Sequence, residues 1–170
     1  NNYTYKIYYH GNMFYLPDVL DGNSLQSFQA GDNLLAYINS AGFLKIYYEG
    51  QVFNTEAGQP LNYKAGANTV AFVNDATQEF KVFYKGSAST LADFPPQSFI
   101  VADDMVAYID NNGSFNVFYQ GKITELSSYA PEFFNAEDNI LVYGDDRNFK
   151  IFYKGTSYTL ERYITGVYKK

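Results

Sequence analysis

The chain has 170 residues, enough for one well-packed domain and not for several, and 18 Tyr with 15 Phe set its character. Its formal net charge of -6, with 12 basic residues scattered along it, leaves no electrostatic footprint for a phosphate backbone, so nucleic acid is excluded as the expected partner. There is no Cys, which removes disulfides, thiolate metal sites and thiol nucleophiles together.

Aromatic side chains suit a pleated, half-buried surface, so the composition leans all-β before any pattern is read. No apolar run approaches the roughly 18 residues of a spanning helix, and no membrane insertion is expected. The sequence opens at Asn1 without Met or a signal peptide, which reads as a mature form or an excised piece.

In chain order, the first landmark is Lys6-Ile7-Tyr8-Tyr9-His10-Gly11, and it returns at 45–50, 81–86, 116–121 and 150–155. Its tyrosine (Tyr9, Tyr48, Tyr84, Tyr119, Tyr153) recurs at steps of 39, 36, 35 and 34, within the range of tandem-repeat architectures. An apolar segment precedes each of the last four copies: Leu35 to Asn39, Val70 to Asn74, Val106 to Asp110, Leu141 to Asp145. An aromatic (Phe28, Tyr63, Phe99, Phe134) opens each unit, and Leu16, Thr55, Leu91, Leu126 and Leu160 close it. Each repeat is therefore expected to hold four extended segments, a to d.

Segment c alternates with period two, as Phe80, Val82 and Tyr84 against Lys81, Phe83 and Lys85, which is strand behaviour. Segment b is apolar on both faces, as a strand reads when its sheet is packed on both sides. Segment d, for example Ser87-Ala88-Ser89-Thr90, is polar and mixed and reads as an outer edge. One domain over 1–170 is expected: a partial repeat at 1–16, repeats at about 28–55, 63–91, 99–126 and 134–160, and the start of a further strand at 168–170.

Doubly buried sheets with a polar outer strand are what radially stacked blades require. The sequence resembles β-propeller repeat proteins over nearly its whole length, through period, strand number and burial pattern, without matching a named family's signature. There is no Trp, hence no Trp-Asp dipeptide of the WD-repeat type. The fold class expected is an array of four-stranded antiparallel blades, four full and one partial, with a stacked β-solenoid as the alternative. The ends do not close regularly, so either the closure is irregular or the sequence is part of a larger ring.

Little in the sequence points to chemistry. The single histidine, His10, holds a slot taken by Glu49, Lys85, Gln120 and Lys154 in the other copies, so imidazole-based catalysis and metal clusters lose their main residue. Acidic residues gather in the a–b turns (Asp32, Asp103, Asp104, Glu137, Asp138) and the b–c turns (Asp75, Asp110, Asp145, Asp146). Turn carboxylates can ligate calcium, but Asp/Asn clusters are also ordinary turn chemistry, and no metal or cofactor is assigned. The segment-c lysines are expected to cover aromatic neighbours with their stems.

The expected function is non-enzymatic binding or scaffolding by a module of an exported or surface protein, extracellular or periplasmic. A carbohydrate-binding propeller is the alternative, which would need a polar and aromatic cluster repeated at each blade junction. In a propeller the d–a and b–c connections share one face, and here they alone vary in length or sequence. The candidate contact residues for a protein or glycan are therefore Asp21, Asn23, Ser40, Asp75, Gln78, Asn112, Asp146 and Arg147.

Overall fold

A computed structural model describes residues 5–16, 27–55, 58, 60 and 62–162. Among them there is no helix. A two-stranded hairpin, β1 (Lys6–Tyr9) and β2 (Asn12–Tyr15), precedes four antiparallel four-stranded sheets. The first sheet holds β3 (Ser27–Ala30), β4 (Leu34–Ile38), β5 (Leu44–Tyr48) and β6 (Gln51–Asn54). The second holds β7 (Tyr63–Ala65), β8 (Thr69–Val73), β9 (Phe80–Tyr84) and β10 (Ser87–Ala92). The third comprises β11 (Ser98–Val101), β12 (Met105–Ile109), β13 (Phe115–Tyr119) and β14 (Lys122–Ser127). The fourth comprises β15 (Phe133–Glu137), β16 (Ile140–Asp145), β17 (Asn148–Tyr153) and β18 (Thr156–Arg162).

In each sheet the strands lie in the order a-b-c-d, so the hexapeptide tyrosine ends strand c and the polar segment forms the outer edge. The strongest contacts between neighbouring sheets run through strands a and b, and the sheets fan outward from there. That radial arrangement is the propeller, not the solenoid. The segment 168–170 lies outside the described residues.

The last two positions of the hexapeptide are the c–d turn. His10, Glu49, Lys85, Gln120 and Lys154 have φ of 47 to 49°, and each following glycine has φ of 79 to 90°. Two successive left-handed residues make the hairpin turn that matches strand twist, with glycine at the second place. A slot that only has to tolerate this backbone accepts any polar side chain, which accounts for the lone histidine.

The closing leucines answer a different need. Register shifts between Thr90 and Ala92, and at the equivalent points of β14 and β18, place Leu91, Leu126 and Leu160 at β-bulges. A bulge turns one side chain out of phase and disrupts the edge ladder, so an outer strand acquires one inward apolar anchor and a poor template for further pairing. In the first sheet Thr55 takes this place, and its hydroxyl donates to the Leu44 carbonyl at 2.8 Å.

Three apolar clusters fill the junctions between the four-stranded sheets, and a fourth, around Leu16 and Tyr37, joins the hairpin to the first of them. At the second junction Ala71, Val73, Phe80 and Val82 of one sheet meet Phe99, Val106, Tyr108 and Phe118 of the next. Strand b is buried on both faces, as its apolar sequence demands: all five residues of β8 and of β12 are buried. Ala36, Ala71 and Ala107 are fully buried at the same point of the repeat. The hexapeptide tyrosine supplies an edge-to-face aromatic pair across every junction: Tyr9 with Tyr47 at 6.2 Å, Tyr48 with Phe83 at 5.9 Å, Tyr84 with Phe118 at 5.7 Å and Tyr119 with Phe152 at 5.8 Å. Such pairs stabilise by about 0.5–1.5 kcal/mol beyond the area they bury. Because the hairpin obeys the same rule, β1 and β2 stand where strands c and d of a preceding blade belong. A cavity of about 400 Å³, lined by Tyr5, Ile7, Tyr8, Phe28, Gly31 and Leu35, lies between the hairpin and the first four-stranded sheet.

Strand a ends where neighbouring backbones almost touch. A Cβ on Gly31 would lie 1.9 Å from the Gly66 carbonyl oxygen, and one on Gly66 would lie 2.0 Å from that of Ala102. Only glycine permits that approach.

Candidate functional site

The two rims of the array use polar residues in different ways. On one rim lie the a–b turns, and their polar groups join blade to blade. Asn33 Nδ2 donates to Asn68 Oδ1 at 2.6 Å, Asn68 Nδ2 to Asp104 Oδ1 at 2.9 Å, and the Asp104 amide to Asn139 Oδ1 at 3.2 Å. Backbone bonds run beside this ladder: the amides of Asn33, Asn68 and Asp103 donate to the carbonyls of Ala67, Asp103 and Asp138, each at 3.0 Å. These four ladder residues sit three positions before the Ala/Val of strand b in every repeat, a periodicity present in the sequence but masked by the alternation of Asn with Asp. Burial, then the negative charges of Asp138, Asp32 and Asp104, push the Asp103 carboxyl above the usual carboxylate range. The acidic a–b residues thus form one mutually repelling rim around the inner strands.

The opposite rim carries the b–c turns and the d–a connections. Gly58 of a d–a connection lies against the Asp75 carboxylate of the next b–c turn. Gln97 Nε2 reaches the Asn111 carbonyl at 3.5 Å, and the Tyr129 hydroxyl faces the Asp145 carboxylate. These contacts place both sets of loops on one face.

Here the first residue of each b–c turn folds inward. Asn39 Oδ1 accepts from the amides of Ala41 and Phe43 at 3.1 and 2.9 Å, Asn74 Oδ1 from those of Ala76 and Thr77 at 2.9 and 3.3 Å, and Asp110 Oδ1 from those of Asn112 and Ser114, both at 2.9 Å. Asx side chains closing their own turns explain the Asp/Asn clusters. The carboxylate oxygen of Asp110 that faces its loop is therefore occupied by backbone donors, and no cluster of three or more acidic or histidine side chains able to hold a metal occurs among the described residues. Asp145 departs from the pattern: it pairs with Lys150. Burial pushes its carboxyl up, and hydrogen bonds from Lys150 and Tyr129, with the Lys150 charge, outweigh this and hold it below the usual range.

Ser40, Asp75, Gln78, Asn112, Asp146 and Arg147 fall on this second rim, spread over four successive b–c turns. Asp75, Gln78, Asn112, Asp146 and Arg147 are exposed and Ser40 is half-buried. Gln78 is partly committed to its own turn, with Nε2 donating to the Asp75 carbonyl at 2.7 Å. Asp146 and Arg147 have φ of 46 and 62°, so they are the two central residues of a tight hairpin turn. Asp21 and Asn23 lie outside the described residues.

The segment-c lysines do not act alike. Lys6 places its ammonium, not its stem, over the Tyr15 ring at 5.2 Å, whereas Lys81 pairs with Glu79 at 3.1 Å, Lys150 with Asp145, and Lys45 with Asn54. The register explains the change, since strand-c residues face turn and strand-d polar groups that the sequence does not reveal as neighbours.

A cavity of about 350 Å³ on the loop rim escaped the sequence reading. It is lined by Asn62, Lys64, Pro95, Pro96, Gln97 and Phe99 at the second junction. Lys64 Nζ donates to the Phe99 carbonyl at 2.6 Å and lies 4.7 Å from its ring centre, so its charge is already engaged. The strand-a residues equivalent to Lys64 are Gln29, Ile100 and Asn135, and the cluster is not repeated at the other junctions.

A family model described as a 10-bladed beta propeller domain matches residues 1–170. No curated protein matches the sequence. Among solved structures, the CRINKLY WD40 ectodomain of the Arabidopsis thaliana receptor kinase ACR4 is similar with a TM-score of 0.54 at 11% identity, covering 91% of this chain and 57% of that one. A chain of the complex of Kap60 with yeast RCC1 (Prp20) is similar with a TM-score of 0.53 at 8% identity, covering 83% of this chain and 46% of that one. Prp20p from Saccharomyces cerevisiae, in a structure described with its binding to Gsp1p and histones, gives 0.51 at 8% identity, covering 83% and 48%. At these identities the likeness is one of fold, and the chain spans about half the length of the structures it matches.

Proposed function

The chain belongs to the family of 10-bladed β-propeller domains, and we propose that it is a non-enzymatic module that holds a protein partner on the rim formed by its b–c turns and d–a connections. The observation that carries this reading is the division of labour between the rims. On the a–b rim Asn33, Asn68, Asp104 and Asn139 tie blade to blade, whereas on the b–c rim the Asx residues build the turns and leave their neighbours exposed on a rigid base. Variable side chains on a fixed scaffold are where binding is usually placed. The propellers of similar fold include proteins described with protein partners, Kap60 for yeast Prp20 and Gsp1p and histones for Prp20p. A glycan-binding reading has less support, because among the described residues the polar and aromatic cluster around Lys64 and Phe99 does not recur from blade to blade.

The test is a triple charge change, Ser40→Lys, Asp75→Lys and Asn112→Lys, compared with the unaltered chain in affinity capture from the native extract. The expected result is at least about tenfold weaker capture of the specific partner with an unchanged melting curve. Undiminished capture rejects this rim as the binding face, and retention on a glycan array in place of a protein partner would favour the carbohydrate reading.

A further inference from the structure

Two of the d–a connections carry a motif that the fold itself does not require. Phe94-Pro95-Pro96-Gln97 and Tyr129-Ala130-Pro131-Glu132 follow the bulge leucines Leu91 and Leu126 at the same distance. The connection after Thr55 has the same length and its proline at the same place, Pro60, but Gly58 where the others have a ring. Both aromatic connections are pinned to the next blade alike: the Gln97 and Glu132 amides donate to the carbonyls of Ile109 and Gly144, equivalent positions near the end of strand b, at 2.8 and 3.0 Å. The rings nevertheless face water, Phe94 at 57% and Tyr129 at 50% exposure. A proline-stiffened, hydrogen-bonded connection that twice holds a large ring in solvent has the form of a contact surface, since interfaces draw most of their binding energy from such rings.

The charges around the rings select a cation. No Lys or Arg occurs between Lys85 and Lys122, whereas Asp93, Asp103, Asp104 and Asp110 do. Asp93 directly precedes Phe94 and is exposed, and Asp110 opens the b–c turn that Gln97 reaches. At the second ring the Tyr129 hydroxyl faces Asp145 and feels the charge of Asp146, and Glu132 is exposed in the same connection. Of the basic residues described near this rim, Lys64 is held by the Phe99 carbonyl and ring, Lys81 and Lys150 are paired with Glu79 and Asp145, and Arg147 is exposed. An aromatic face beside carboxylates attracts an ammonium or guanidinium through ring quadrupole and charge together. A neutral apolar or proline-rich segment would use the rings but strip water from carboxylates without pairing them, which costs free energy.

We propose that the protein partner engages this rim through a basic segment, whose Lys or Arg side chains stack on Phe94 and Tyr129 with Asp93, Glu132 and Asp146 as counter-charges. This rests on the reading that the rim of b–c turns and d–a connections holds a protein, and adds the chemistry of what it holds. The two rings occupy one repeat position in successive connections, from the second blade to the third and from the third to the fourth, so both lie between described blades. The a–b rim is acidic as well, through Asp32, Asp103, Asp104, Glu137 and Asp138, but its turns carry no aromatic residue. Ring and carboxylate together therefore distinguish the two rims.

The probe is a fluorescent peptide of repeated Gly-Ser-Arg units, titrated with the 170-residue chain near physiological ionic strength and read by anisotropy. It should bind saturably, and the same peptide with citrulline in place of arginine should bind at least about tenfold more weakly, because the shape is kept and the charge removed. Phe94→Leu combined with Tyr129→Leu, which keeps apolar bulk at exposed sites, should weaken the arginine peptide at least about fivefold with an unchanged melting curve. Tyr129→Phe should bind as the unaltered chain does, since it keeps the ring and loses only the hydroxyl. Asp138→Asn, on the a–b rim, should also leave binding unchanged. Absence of saturable binding, equal binding of the citrulline peptide, or a loss with Asp138→Asn as large as with the leucine pair would each overturn the proposal; the last would mean general attraction to an acidic protein. Capture of the native partner by the variant altered at Ser40, Asp75 and Asn112 is independent of these outcomes, so the basic-segment proposal can fail while the rim reading stands.

Discussion

The third blade, 98–127, and the last, 133–162, are written in the same pattern and buried differently. Met105 is fully buried while Ile140, at the same repeat position, is 43% exposed; Leu91, at the bulge of the second blade, is 8% exposed while Leu160, at the bulge of the last, is 56% exposed. The strand registers and bulges are equivalent, so the difference lies in whether another described blade packs on the face. In a radial array a blade has no core of its own: its apolar faces become core only when another blade covers them, and stability accrues at the junctions.

The sharpest way to break this equivalence is to truncate the two bulge leucines. Leu91→Ala removes a buried anchor from the second junction and should cost about 2–4 kcal/mol in denaturant melts, whereas Leu160→Ala in dilute protein should stay within about 0.5 kcal/mol. Equal costs would mean that burial at the bulge is not what holds a blade. The next contrast lies within one blade. Ala71→Leu should overpack the second junction and destabilise by about 1–3 kcal/mol, while Lys81→Ser, which gives up a half-exposed pair with Glu79, should cost within about 0.5 kcal/mol. A silent Ala71→Leu with a severe Lys81→Ser would reverse the strand phase.

The smallest effect concerns the a–b rim. The Asp103 carboxyl is raised by burial and by its acidic neighbours, so its ionised form disfavours the folded state at pH values above its raised folded-state value. That cost disappears as pH falls through the raised value toward the ordinary one near 4, where the group is protonated in both states. Asp103→Asn should accordingly raise the melting temperature by a small amount at pH 7 and leave it unchanged near pH 3. A gain of the same size at both pH values would assign the effect to something other than charge.

Much of this molecule could be read from spacing alone. The five hexapeptides located strand c and its turn, because a left-handed pair of residues demands glycine at a fixed place. The doubly apolar segment identified strand b, and the polar segment the outer edge. The described candidates, Ser40, Asp75, Gln78, Asn112, Asp146 and Arg147, share one rim because loops tolerate variation and only two kinds of connection vary. Less legible were the contacts between repeats. Gly31 and Gly66 look like ordinary turn glycines until the approach of neighbouring carbonyls appears, and the ladder through Asn33, Asn68, Asp104 and Asn139 is hidden by Asn and Asp sharing one role. The pocket beside Lys64 belongs to a single junction, so no periodicity marks it.

By itself the sequence determined the unit: four strands, their order, their turns and the faces each must bury, since hydrophobic period and backbone sterics act within a few residues. Only the tertiary structure decided which of those faces are covered, because burial at a junction is a relation between residues some 35 positions apart. Identical patterns at Leu91 and Leu160 therefore have opposite fates, and the difference lies in the neighbour, not in the leucine.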